Sequence, residues 1–131
     1  MEPVIKFKGY SIEKLIFSKE GIDFNEPLEQ IDGKAINLSI EQGISEDLKN
    51  ARLKIIIKLV DEVININIWL EVVGNFEIND INDPETIQDF LTVNGTAILY
   101  PYVRSIVSMV SSLDSENAII LPTINTSNFA D

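Results

Sequence analysis

Apolar and polar residues alternate through much of the chain, and this period of two is typical of β-strands with one dry face. The first alternating stretch is interrupted near Gly9, which predicts a bulge or bend there. Residues 20–34 contain Pro27, two glycines and many acids, a composition that predicts a loop. The pattern predicts four strands, at residues 4–20, 35–42, 51–60 and 63–73, the last continuing through 76–78 after a bend at Gly74.

The connections between these strands are short or modest in length, and they favour an antiparallel sheet. Asp61 and Glu62 lie between two regular stretches and predict a hairpin, although the asparagine–glycine pair typical of tight turns is missing. The aliphatic side chains of the strands collect on one face of such a sheet. That face needs a cover.

The period changes to that of a helix after residue 82. Asp83 is a candidate N-cap and Pro84 suits a first turn, so a helix is predicted over residues 82–91, with a candidate interruption at 93–95. Pro101 predicts a kink or the true start of the next helix. From residue 97 one stripe is apolar and is expected to pack on the sheet, namely Leu99, Val103, Ile106, Val110 and Leu113, flanked by Tyr102 and Met109.

A second stripe of this helix consists of small residues, Ala97, Pro101, Ser105, Ser108 and Ser112. Small side chains allow another backbone to approach closely, which predicts a contact with a second subunit. Serines that face water would explain the same stripe. The predicted fold class is α+β, a single domain over residues 1–131 with a four-stranded antiparallel sheet and one long helix packed on one face.

Charge and composition exclude several kinds of partner and of active site. The net charge is −11, from 21 acidic and 10 basic residues, and such a field repels nucleic acid and anionic lipid, so neither is an expected partner. The N-terminus lacks a signal-peptide pattern and lysines break the apolar runs well short of a membrane span, so a cytoplasmic location is expected. Cysteine and histidine are absent, which excludes thiol nucleophiles, histidine catalysts and Cys/His zinc sites.

The sequence gives little support for an enzyme. The carboxylates cluster at predicted turns, where acids are common, and the sequence carries no glycine-rich phosphate loop or nucleophile elbow. We expect no enzymatic activity, no cofactor and no metal.

Three segments together resemble the SecB family of protein-export chaperones and its SecB-like relatives. They are GNFEI (74–78), NGTAILYPYVRSIVSMVSS (94–112) and LPTINTSNF (121–129), and the likeness covers residues 69–129 best. The resemblance implies a four-stranded antiparallel sheet with the long helix packed on it, and a dimer or dimer of dimers with helices between sheets. It also implies ATP-independent binding of unfolded or non-native polypeptide, and some relatives are dedicated chaperones of one antitoxin.

The chain departs from the SecB pattern after the long helix. Asn125 and Phe129 are spaced more loosely than in the family, and the second helix that follows in SecB is expected to be missing or reduced. In SecB that helix helps to line the groove, and the tail beyond it contacts the SecA motor ATPase. The resemblance therefore implies a stand-alone or dedicated chaperone more than a partner of SecA.

The candidate sites combine this resemblance with the physical pattern. Polypeptide-binding candidates are Ile36, Leu38, Ile40, Ile44 and Trp69. Core packing would also explain the three alternating aliphatic residues, and packing under the first strand, a loop or a partner subunit would explain Trp69. Oligomer-contact candidates are Ala97, Pro101, Arg104, Ser105, Ser108 and Ser112. In the signature Tyr100-Pro101-Tyr102-x-Arg104, the tyrosines are expected to pack between helix and sheet rather than contact client. The expected function is an ATP-independent chaperone; the alternative is an interaction module for one folded partner.

Overall fold

The computed structural model describes residues 4–31 and 33–124, which form a five-stranded antiparallel sheet with one helical layer. The strand order is β1-β5-β4-β3-β2. The strands are β1 (Ile5–Ser18), β2 (Glu29–Ile31), β3 (Lys34–Ile44), β4 (Asn50–Asp61) and β5 (Ile66–Ile78). The helical layer consists of α1 (Pro84–Phe90), a π-helical segment (Leu91–Gly95) and α2 (Thr96–Ser112).

The prediction of four strands was wrong because β2 lies inside the stretch predicted to be a loop. Its three residues pair with the start of β3, from Glu29 opposite Ile36 to Ile31 opposite Lys34. Gly33 allows the tight turn between them because its φ is +79°. A strand of three residues is too short for alternation to be detectable in the sequence.

The predicted irregularity near Gly9 is confirmed, and β1 carries a second one. The pairing of β1 with β5 shifts between Phe7 and Gly9, where φ is +125°, and again between Ile12 and Lys14. Opposite residues of an antiparallel pair lie on the same face of the sheet, so the β5 partners show which face each β1 side chain occupies. Phe7, Tyr10, Ile12, Leu15 and Phe17 all stand opposite residues of the face that α2 covers.

The predicted hairpin between the central strands is confirmed, although the second strand begins at Ile66 and not at residue 63. The Asp61 carboxylate accepts hydrogen bonds from the backbone N–H groups of Val63 (3.0 Å) and Ile64 (3.4 Å). Asn65 completes the turn with a φ of +54°. A side-chain-supported turn therefore replaces the missing asparagine–glycine pair.

The core lies between the sheet and the helical layer, as the alternation predicts. We call the covered side of the sheet the helix face and the opposite side the outer face. The helix-face side chains of β4 and β5 are almost wholly buried, namely Leu53, Ile55, Ile57, Leu59, Ile66, Ile68, Leu70 and Val72. Each such burial is worth about 1.5–3 kcal/mol before conformational entropy is subtracted.

The first helix begins as predicted and then continues without a break. Asp83 occupies the N-cap position and Pro84 is the first helical residue, but the Asp83 carboxylate accepts a hydrogen bond from the Thr86 hydroxyl (2.7 Å) and none from the backbone. At residues 93–95, where an interruption was predicted, the chain continues as the π-helical segment. Gln42 of β3 donates hydrogen bonds to the Gln88 carbonyl and the Thr92 hydroxyl at this segment.

The buried face of α2 is turned slightly from the predicted stripe. Leu99, Val103 and Ile106 are buried as expected, whereas Leu113 is 81% exposed because the helix ends one residue before it. The helix starts at Thr96, so Pro101 lies inside it and does not mark its start. The buried face further includes Thr96, Tyr100, Val107 and Ser111.

Residues 113–124, which we call the return segment, fold back along α2 in the opposite direction. The contacts run backwards along the helix, from Ile119 near Ser111 to Pro122 near Tyr100. No second helix follows α2 up to residue 124, the last described position. The region in which the SecB pattern has its second helix, after residue 129, lies outside the described residues. Asn125 and Phe129 lie outside the described residues.

Candidate functional site

A groove of about 320 Å³ lies between β3 and the return segment. The side chains that line it are mostly apolar, and the apolar ones come from β3, β4, α2 and the return segment. Ile36 and Leu38 form the β3 wall, Ile57 and Tyr100 the floor, and Leu121, Pro122 and Ile124 the opposite wall. Such a lining favours a chain that offers apolar side chains.

The backbone edge of β3 beside this groove is open. Strand β2 pairs with β3 only as far as Ile36, so residues 37–44 have β4 on one side and no strand partner on the other within the described chain. The first of these positions, Asn37, is occupied by the segment around β2. The Asn37 side chain accepts a hydrogen bond from the Glu29 N–H (3.0 Å) and donates one to the Pro27 carbonyl (3.0 Å). An extended polypeptide can pair with an open edge of this kind.

Hydrogen bonds from α2 fix the wall formed by the return segment. The Tyr100 hydroxyl donates to the Pro122 carbonyl (2.6 Å), and Arg104 Nε donates to the Leu121 carbonyl (3.1 Å). Burial raises the pKa of Tyr100, so its hydroxyl stays protonated and remains a donor at neutral pH. The wall is thus tied to the helix through two residues of the Tyr-Pro-Tyr-x-Arg signature.

The rim of the groove is acidic. Glu26 and Glu29 both border it, and Glu26 pairs with Lys58 at 2.5 Å. The hydrogen bond from Lys58 holds the pKa of Glu26 below its usual range. Glu29 forms no ion pair with the described residues, so it leaves an uncompensated negative charge beside the apolar lining.

The structure brings two of the five predicted polypeptide-binding residues together in this groove. Ile36 is buried and Leu38 half-buried, and both line it. Ile40 lies farther along the same face of β3, half-buried against the core. Ile44 lies at the far end of β3, where it borders a separate cavity of about 570 Å³ with Phe76.

Trp69 lies apart from the other four, on the outer face of the sheet. The ring of Phe24 packs against it with centroids 5.8 Å apart, and Lys14 Nζ lies 3.4 Å from a Trp69 ring centroid. Its indole N–H donates to the Glu71 carboxylate (2.8 Å). These contacts leave Trp69 half-buried beneath the loop that precedes β2.

The predicted oligomer-contact residues form an open surface on the single chain. All of them except Ala97 border a shallow depression of about 590 Å³, together with the exposed side chains of Met109 and Ile120. Ala97, Pro101, Ser105 and Ser112 are exposed, and Arg104 and Ser108 are half-buried. Arg104 differs from the others because its Nε is already bonded within the chain.

Sequence reasoning missed the wall contributed by the return segment. Leu121 is 1% exposed and Ile119 is 2% exposed, yet neither belongs to a regular element whose period could have indicated burial. The available signal was the apolar run of residues 118–122 directly after a polar turn, a run too short to distinguish strand from coil.

The described part of the chain contains no group of three or more Cys, His, Asp or Glu side chains that could hold a metal ion. Its helices are all too short or too polar to cross a lipid bilayer.

Comparisons with known proteins reveal similarity of fold. No protein-family model matches the chain. A search of curated proteins also finds no match. A solved structure of the SecB-like chaperone Rv1957 from Mycobacterium tuberculosis, in complex with a ChAD peptide from the Rv1956 HigA1 antitoxin, is similar with a TM-score of 0.66 and 12% identity. The match covers 92% of this chain and 88% of that one.

A second solved structure, a protein of unknown function from Streptococcus agalactiae, has a TM-score of 0.55 and 13% identity. It covers 91% of this chain and 97% of the other. The chain therefore has the fold of a SecB-like chaperone.

Proposed function

We propose that this protein is an ATP-independent chaperone that binds extended, non-native polypeptide in the groove between β3 and the return segment. The observation that carries this proposal is the apolar groove beside an open strand edge, in a chain with the fold of a SecB-like chaperone. The role is one of binding and not of catalysis. Its expected setting is the cytoplasm, and SecA is not a required partner.

Two interactions supply the affinity. Client side chains leave water against the groove lining, which is worth about 25 cal/mol per Å² of apolar surface removed from water. The client backbone pairs with the open edge of β3 from Leu38 onward, which satisfies polar groups on both chains. Backbone pairing does not depend on client sequence, so it suits a protein that binds many unfolded chains.

Binding to a permanently unfolded protein tests the proposal directly. Labelled lactalbumin, reduced and carboxamidomethylated so that it cannot refold, should bind without nucleotide, while the native form with its disulfides should not. The chain should also suppress aggregation of a heat-denatured protein at a near-stoichiometric ratio. If it neither binds the unfolded form nor protects, the general chaperone function is excluded.

A matched pair of leucine variants places the binding in the groove. Leu38→Ala removes groove lining and should weaken binding of the unfolded probe by about tenfold. Leu113→Ala removes the same side chain from a position that is 81% exposed and outside the groove, and binding should stay within about twofold. Equal affinity of the two variants would place the site elsewhere.

The second candidate function is that of a dedicated module for one partner protein. It is supported by the similar SecB-like chaperone, whose structure holds a peptide from an antitoxin. Capture of partners from the native host distinguishes the two functions. The dedicated module is favoured if one dominant protein is captured and the chain also fails to protect unrelated unfolded proteins.

We further propose that the protein is a homo-oligomer, either a dimer or a dimer of dimers, formed through the small-residue surface of α2. Support comes from the exposed Ala97, Pro101, Ser105 and Ser112, which leave room for a second backbone beside Met109 and Ile120. Light scattering that finds only single chains at micromolar concentration would refute it.

A further inference from the structure

The two walls of the groove are attached to the protein in different ways. The β3 wall is part of the sheet, where residues Ala35–Ile44 pair continuously with β4. The return segment has no backbone–backbone hydrogen bond to another element after Asp114 within the described chain. One wall is therefore rigid, whereas the position of the other depends on side-chain contacts.

Asp114 pairs with Lys19, and after Asp114 the polar contacts between this segment and other described elements come from α2. Tyr100 and Arg104 bind the carbonyls of Pro122 and Leu121, and the Ser111 hydroxyl accepts from the Ile119 N–H (2.7 Å). The buried side chains of Ile119 and Leu121 hold the middle of the segment. The end that borders the groove is held by the hydrogen bonds of Tyr100 and Arg104 and by Ile124, which packs against the core.

Tyr100 contributes to the groove in two separate ways. Its ring forms part of the floor, and its hydroxyl binds the carbonyl of a residue in the wall. Arg104 borders the depression on the far side of the wall and contacts the wall from behind. Removal of either donor keeps the apolar lining and removes one of the two hydrogen bonds that hold the wall.

We propose that Tyr100 and Arg104 are positioning residues that set the width of the groove, and hence its affinity for polypeptide, by holding residues 121–124 opposite β3. This inference rests on the proposed function of the groove. It assigns the Tyr-Pro-Tyr-x-Arg signature a role within the chain, one that requires no second subunit.

Two substitutions with matched controls test the role. Tyr100→Phe keeps the ring and removes the hydroxyl, and its control is Tyr102→Phe on the exposed side of the same helix. Arg104→Met removes the second donor and one positive charge, and its control is Arg52→Met, which removes the same charge from the outer face. The probe is a fluorescein-labelled peptide of alternating leucine and lysine, about ten residues long.

Each test variant should raise the Kd of the peptide about fivefold, in line with the loss of one hydrogen bond, while the controls stay within about twofold. Because the chain has no cysteine, a nitroxide attached at Thr123→Cys reports on the wall alone. Its mobility should increase in both test variants and decrease again when peptide is bound. Circular dichroism and denaturant unfolding show whether each variant is folded.

The outcomes separate the possible failures. Unfolding at lower denaturant with unchanged peptide affinity would mean that the two residues only stabilise the fold, which overturns the inference. An equally immobile nitroxide in wild type and variants would overturn it as well. If the wild-type chain binds no peptide while the nitroxide responds as expected, the proposed function fails, and the inference about affinity fails with it.

Discussion

At the scale of single residues, Gly74 lies under a packing constraint that the sequence did not indicate. It was predicted to bend the last strand before a continuation at residues 76–78, and β5 does continue through it with pairing on both sides. A Cβ at this position would lie 3.2 Å from Leu99 Cδ1 and 3.2 Å from Phe76 Cε2. A methyl group at this position would therefore press on the side chains of Leu99 and Phe76.

Gly74→Ala should therefore destabilise the protein by about 1–3 kcal/mol through overpacking. The matched control is Gly43→Ala, also in a strand, where a Cβ would meet no atom within 4 Å. Urea unfolding measures both. Equal stability of the two variants would contradict close packing of α2 against β5.

Trp69 shows how an apolar residue on a wetter face is covered by a loop. Phe24 is 7% exposed and packs on it, so Phe24→Ala should uncover the indole. We expect a red shift of tryptophan emission, stronger quenching by acrylamide and a loss of about 3 kcal/mol in the free energy of unfolding. Val63→Ala, at a turn position that is 90% exposed, should change none of these. Unchanged emission after Phe24→Ala would mean that Phe24 does not cover Trp69.

At the scale of elements, adjacent serines near the end of α2 have different roles. The Ser111 hydroxyl is buried, accepts from the Ile119 N–H and donates to the Ser108 carbonyl (3.1 Å). Ser111→Ala leaves a buried N–H without its acceptor and should cost about 1–3 kcal/mol. Ser112 is exposed and donates to the Met109 carbonyl of its own helix, so Ser112→Ala should change the free energy of unfolding by less than about 0.5 kcal/mol.

Thermal or denaturant unfolding of the two alanine variants compares these costs. Hydrogen exchange adds a local measurement, because the Ile119 amide should exchange faster only in Ser111→Ala. If the two serines prove equally dispensable, the return segment is not tied to α2 in the way described.

Elements with a regular period could be predicted, and those held by single contacts could not. The strands β1, β3, β4 and β5 and the helix start at Pro84 follow from alternation, bulges and capping. Strand β2 and the return segment show no regular pattern of apolar residues. Strand β2 is only three residues long, and the return segment is held by side-chain contacts. The groove needs both walls, so the sequence indicated Ile36 and Leu38 but not the site that contains them.

At the scale of the whole molecule, the small-residue surface makes a prediction about assembly. Ser105→Arg places a long charged side chain where a second backbone is proposed to approach, so it should shift the assembly toward single chains. Asn94→Arg, an exposed position in the π-helical segment, adds the same charge outside that surface and should leave the mass unchanged. Light scattering at several concentrations measures both. An oligomer that survives Ser105→Arg would place the interface on another surface.

The net charge of −11 and the acidic rim together predict how salt affects binding. Raising the salt concentration from 0.1 M to 1 M shortens the Debye length from about 10 Å to about 3 Å, which screens long-range attraction but not apolar burial. The leucine–lysine peptide should therefore lose about tenfold in affinity, whereas the same peptide with glutamine in place of lysine should lose little. Glu29→Gln should reduce the salt dependence, because it removes the unpaired carboxylate at the groove. Identical salt dependence for the two peptides would mean that charge plays no part in client choice.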